Sequence, residues 1–158
     1  MARIRDYTVV LSQKATFNEK RAAATLRRAV RLVTGAALPL VTDAAPPTER
    51  EIVVGRTNRE ALCGLSFPRS RERLWEYQIL RRGDRVFLTG LGLPPAEKLP
   101  YRSAYAPLDD GAYGTAVASY RFAEIALGYD ELYEAFEEFP VDPQKEMPPF
   151  QLLHTRNS

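Results

Sequence analysis

Residues 16–35, "TFNEKRAAATLRRAVRLVTG", constrain this chain more than any other stretch. Thr16 and Glu19 stand at capping-box spacing, in which each side chain satisfies the other residue's main-chain N–H. Ala22, Leu26, Ala29, Val30 and Val33 recur at three- and four-residue steps, and Gly35 supplies a stop. A helix with one apolar stripe has to bury it against another layer, and the flanking sequence offers strands. "YTVVLS" (7–12) is β-branched and alternating, and "LPLVTD" (38–43) and "EIVVGR" (51–56) are short strands separated by the breaker "AAPPTER".

Further on, "LWEYQILRRGDRVFLTG" reads as a hairpin. Alternation puts Trp75, Tyr77 and Ile79 on one face; the chain turns near Gly83-Asp84 and returns through Val86 and Leu88. Twenty residues follow, 91–110, rich in proline and tyrosine and without a period; connections that long are uncommon and usually functional or mobile. A second main helix begins near Tyr113, with Tyr113, Val117, Tyr120, Ala123 and Leu127 as its apolar stripe and Gly128 at its end. "DELYEAFEEF" (130–139) reads as a short acidic helix, and Pro140, Pro143, Pro148 and Pro149 keep the tail extended or loose. The expected fold is α/β: a mixed sheet of about five strands, with two main helices on one face, in the order β-α-β-β-β-β-α. Residues 1–139 form one domain carrying the 91–110 insertion, and 140–158 are a proline-rich tail or the start of a link to a further domain.

The 158 residues suit one domain with a real core. A formal charge of +2 implies no polyanion partner, yet residues 1–90 hold 17 basic and 9 acidic side chains and residues 91–158 hold 5 and 11. One cysteine, Cys63, excludes an internal disulfide and a thiolate metal cage. "MARIRDYTVVLSQ" lacks the apolar core of a signal peptide and no 18-residue apolar run exists, so the chain reads as soluble, with its compartment open.

Catalytic chemistry finds little to work with. His154, the single histidine, lies in the tail, and no nucleophile elbow, zinc-protease pair or Walker loop is present. Cys63 has no histidine partner in sequence, and Asp109-Asp110 read as helix caps rather than as a glycosidase carboxylate pair. Arg82-Gly83-Asp84 falls where the hairpin needs its turn. The arginines at 69, 71, 73, 81, 82 and 85, with Trp75 and Tyr77 among them, lack a nucleic-acid motif, and the aromatics read as packing.

Four stretches stand in a familiar order: "NEKRAAATLRRAVRLVTGAALPLVTD", "EIVVGRTNRE", "YQILRRGDRVFLTG" and "GAYGTAVASYRFAEIALG". Over about residues 7–129 the chain resembles the accessory α/β domain that precedes the catalytic barrel in family 67 α-glucuronidases and family 20 β-hexosaminidases, and similar domains of other polysaccharide-degrading bacterial proteins. Gly111 and Gly114 match the glycines of that domain's last helix, with Thr115, Phe122 and Gly128 also kept. The resemblance implies that these glycines serve close helix–sheet approach rather than a phosphate. It also implies a domain without catalytic carboxylates or cofactor, because those families carry the catalytic groups on the barrel. The insertion 91–110 and the acidic helix depart from the family pattern, and no barrel is present.

The expected function is thus a non-catalytic accessory domain that supports or docks onto a glycosidase barrel, in the same or another chain. The alternative is a free-standing carbohydrate- or protein-binding module using 91–110. Partners are a barrel or a polysaccharide, with no nucleic acid, membrane or metal. Candidate binding residues are Tyr101 and Tyr105 in the insertion, and Arg56 and Asn58 after the "EIVV" strand. Local roles for the latter two are expected as well: Asn58 capping a short helix through "REAL", and Arg56 pairing with an acid.

Overall fold

The computed structural model describes residues 2–93, 113–129 and 141–150. Tyr101, Tyr105, Asp109, Asp110, Gly111, His154, the expected helix over 130–139 and all but the first residues of the 91–110 insertion lie outside the described residues. Strands β1 (Thr8–Leu11), β2 (Leu40–Thr42), β3 (Glu51–Val54), β4 (Tyr77–Arg82) and β5 (Arg85–Gly90) form one sheet in the order β2-β1-β3-β5-β4. The first four strands in that order pair in parallel, and β4 lies antiparallel on β5 at the edge, so the sheet is mixed as expected. Helices α1 (Phe17–Thr34) and α3 (Tyr113–Phe122) pack together over one face, and the short helix expected through "REAL" forms as the four-residue α2 (Arg59–Leu62). Among the described residues, no helix is long and apolar enough to cross a membrane.

The α1 stripe is buried as its spacing predicts, and both capping-box bonds are present. Glu19 N donates to Thr16 Oγ1 at 3.2 Å, and Thr16 N donates to Glu19 Oε1 at 2.9 Å. Gly35 ends the helix at φ 80°. Val9, Leu11, Ile52, Val54, Tyr77, Ile79, Val86 and Leu88 meet the two helices in the main core. Val10, Val53 and Phe87 point the other way, where Phe67 and Leu91 cover them. All of β3 is buried, as a central parallel strand covered on both faces should be.

Two expectations need correction. Strand β4 starts at Tyr77, so Trp75 lies outside the alternation; Trp75 is half exposed and stacks on Tyr113 at 4.7 Å between ring centroids. The inward face of α3 is also not the predicted one. Gly114, Thr115, Ala118, Ser119 and Phe122 are buried, whereas Tyr113 and Val117 are only partly covered and Tyr120 is exposed. Ala123 and Leu127 are buried as foreseen, in the π turn Ala123–Leu127 that extends α3. The physical reason is distance. A Cβ on Gly114 would run into the Glu76 carbonyl oxygen, and one on Gly90 would lie 2.6 Å from Thr115 N. Small residues face the sheet because the backbones nearly touch; the bulky aromatics are pushed to the flanks. Gly114 is therefore a packing glycine, as the resemblance implied.

The hairpin turns at Gly83-Asp84 as predicted, with Gly83 at φ 62°, the positive value required at the first position of a two-residue turn. Arg81 donates to Asp84 at 2.9 Å and holds that carboxyl below its usual range. Residues 141–150 pack back on the domain: Met147 and Phe150 are buried, Met147 N bonds Ala2 O, and Arg81 Nη1 bonds Met147 O.

Candidate functional site

The direction of sheet growth reverses between β1 and β3. From β1 the chain passes through α1 to β2 on one side, then crosses back to place β3 and β5 on the other. Loops leaving the carboxyl ends of β1 and β3 thus diverge, and in open α/β sheets the gap so formed is where ligands sit. Here it is a crevice of about 460 Å³, within the usual range for a small-molecule site. Its walls come from the β1–α1 loop (Ser12, Lys14, Thr16), the loop after β3 (Arg56 to Asn58), and the end of β5 with the start of α3.

Two carboxylates hold the walls together. Glu19, buried in the first turn of α1, accepts from Thr16 N through Oε1 and, at 2.7 Å, from Arg56 N through Oε2. Gly55, at φ 78°, lets the β3 loop come this close, since a Cβ there would overlap the Glu19 carboxylate. Asp43, just after β2, accepts from Gln13 N through Oδ1 and from Asn58 N through Oδ2, both at 3.0 Å. A helix N-terminus facing a strand-end loop commonly holds an anion. In this chain Glu19 is that anion, supplied by the protein itself.

Behind the crevice lies a second layer of charge. Glu51 and Arg59 are almost fully buried, and Arg59 Nε donates to Glu51 Oε1 at 3.2 Å. Arg59 also reaches Asp43 O, Ala45 O and Asn58 Oδ1, while Arg85 Nε donates to Glu51 at 2.8 Å. Arg69 forks onto the Glu60 carboxylate and bonds Thr89 Oγ1 at 2.6 Å. These pairs fix the crevice floor.

Of the four candidate residues, Arg56 and Asn58 come together in the crevice, and Tyr101 and Tyr105 lie outside the described residues. The local roles expected for the first two differ from what is found. Asn58 occupies the cap position of α2, but its side chain makes no capping bond. It ties loops instead: Nδ2 donates to Asp43 O, and Thr57 Oγ1 takes the Arg59 N–H. The Arg56 guanidinium makes no ion pair among the described residues; its main-chain N–H holds the acid, Glu19. Sequence reasoning did not foresee Glu19, Asp43 or Arg69 as site residues. The signal for Glu19 was the Gly55-Arg56 pair directly after a strand, opposite a capped helix start. Cys63 accepts from Arg85 Nη1 at 3.2 Å, and no cluster of potential metal ligands occurs among the described residues.

Removing the built-in anion gives a direct test of its role. Glu19→Ala is expected to cost about 2–3 kcal/mol in urea unfolding, for a lost cap and two orphaned N–H groups. Sodium acetate should restore part of that loss where sodium chloride at equal ionic strength does not.

No protein-family model matches the sequence, and no curated protein matches it. Among solved structures, the chain is similar to a family GH115 4-O-methyl-α-glucuronidase with specificity for decorated arabinogalactans, at a TM-score of 0.64 and 11% identity over 96% of this chain. The match spans 17% of that protein's length. Nearly all of this chain therefore shares its fold with one part of a much larger glycoside hydrolase.

Proposed function

We propose that this chain is a non-catalytic accessory domain of a carbohydrate-active protein, built to support or dock onto a glycoside hydrolase barrel. The observation that carries the reading is the ratio of coverages: 96% of this chain corresponds to 17% of a glycoside hydrolase chain. The family 67 and family 20 resemblance in the sequence names the same kind of setting. The crevice adds support, because its two carboxylates are each held by two main-chain N–H groups and serve as braces. Since Met147 and Phe150 belong to the core, a link to a barrel on the same chain would begin after residue 150. The test is an assay of the chain against a panel of aryl glycosides and glucuronides, alone and mixed with a barrel stripped of its own accessory domain. No turnover alone and a raised melting temperature for the barrel are expected. Turnover by the chain alone that vanishes in Asp109→Asn or Asp110→Asn would overturn the proposal.

A second reading, a free-standing carbohydrate- or protein-binding module using 91–110, rests on one described feature. Gly92 and Leu93, at the start of that segment, line the crevice. Replacing 93–107 by a short Gly-Ser linker should then abolish binding while the fold survives.

A further inference from the structure

We infer that the crevice at the ends of β1, β3 and β5 is a binding site for a small polyhydroxylated carboxylate, with Lys14 and Arg56 meeting the carboxylate. This goes beyond the accessory role proposed above and does not depend on it. The hydroxyls of Ser12, Thr16, Thr57 and Thr115 each accept a main-chain N–H, from Lys14, Glu19, Arg59 and Gly90 respectively. Each therefore still has an O–H to donate. Lys14 and Arg56 are exposed at the crevice, and neither side chain has a partner among the described residues. Arg69, by contrast, is neutralised by Glu60 behind the wall.

The two carboxylates are tied to the backbone. Both oxygens of Glu19 and both of Asp43 hold main-chain N–H groups. A site that offers four O–H donors and two cationic groups, with its carboxylates held in place by main-chain N–H groups, suits a ligand rich in oxygen acceptors that carries a negative charge for Lys14 and Arg56 to meet. Two anion classes fit such a description, and the wall chemistry separates them. Phosphate sites at strand ends depend on a cradle of free main-chain N–H groups. Here Thr16 N and Arg56 N go to Glu19, Asn58 N to Asp43, and Gly90 N to Thr115, so these four N–H groups are taken from any such cradle. The guanidinium fork of Arg56 and the Lys14 ammonium remain, and these suit a carboxylate. The crevice volume of about 460 Å³ leaves room beyond that carboxylate for a hydroxylated chain or ring facing the four hydroxyls.

The experiment titrates the whole chain with sodium D-gluconate and follows amide NMR shifts. D-sorbitol, its uncharged counterpart, and inorganic phosphate are titrated in parallel at constant ionic strength. Saturable shifts at Ser12 to Thr16 and Arg56 to Asn58 are expected with gluconate, and much weaker ones with sorbitol or phosphate. Lys14→Gln with Arg56→Gln should raise the gluconate Kd at least about ten-fold, the loss of roughly one to two charge-assisted contacts. Both side chains are exposed and have no partner among the described residues, so the melting temperature of that variant should stay unchanged. Absence of saturable gluconate shifts, shifts that persist in the double variant, or phosphate binding equal to gluconate would each overturn the inference. None of these outcomes touches the accessory-domain reading, whose test is association with a barrel.

Discussion

Glu51→Leu is expected to lower stability by about 3–5 kcal/mol, measured by urea unfolding at neutral pH, because it strands buried positive charge. Arg59 is 2% exposed, and Glu51 is the carboxylate that neutralises it. Arg85 converges on the same group and is itself only partly exposed. Without Glu51, two guanidinium groups face each other across a site that water barely reaches. The loss is a large share of the roughly 5–15 kcal/mol that holds a typical domain together. Glu51→Gln should cost less than Glu51→Leu, since its amide oxygen keeps one of the two acceptors, although its NH2 then meets a donor and the charge is lost. The double variant Glu51→Leu with Arg59→Leu should cost less than the sum of the two single changes, because each single change leaves the other's charge uncompensated. Strict additivity would mean that the pair is not coupled and that its place behind the crevice is incidental.

Gly114→Ala should be the second most damaging change, with a sign opposite to helix propensity. In an exposed helix interior, Gly to Ala stabilises by about 0.5–1 kcal/mol. At 114 the new methyl would meet the Glu76 carbonyl oxygen and lie 2.9 Å from Gly90 Cα. Both obstacles are backbone, so no side chain can swing aside and α3 has to move off the sheet. A cost of about 3 kcal/mol follows from overpacking, a fall of roughly 6–12 °C in melting temperature for a chain of this length. Gly90→Ala should cost a similar amount through Thr115 N on the other side of the same contact. A stabilised Gly114→Ala variant would show that the helix stands further from the sheet than the structure places it.

The elements themselves were legible because their signals are local. The Thr16–Glu19 capping box, the α1 stripe, the Gly35 stop and the turn at Gly83 each depend on residues within a few positions of one another, and each forms as read. The mixed sheet with both main helices on one face followed from one long apolar stripe and several short alternating strands. Tertiary structure decided the rest. Which way α3 faces was set by backbone clearance between Gly90 and Gly114, so small residues went inward where hydrophobicity pointed to Tyr113 and Tyr120. Glu19 looked like a capping residue with a local duty, and only the fold brings Arg56 N, 37 positions away, onto its free oxygen. Arg56 and Asn58 were picked out as loop residues after a strand, yet their companions Lys14, Asp43 and Thr115 come from distant stretches that the sheet order collects at one end. Helix caps and turns are written within one turn of chain and survive in the sequence alone. A crevice is a meeting of strand ends, and the order in which strands pair is settled by long-range burial that no short stretch records.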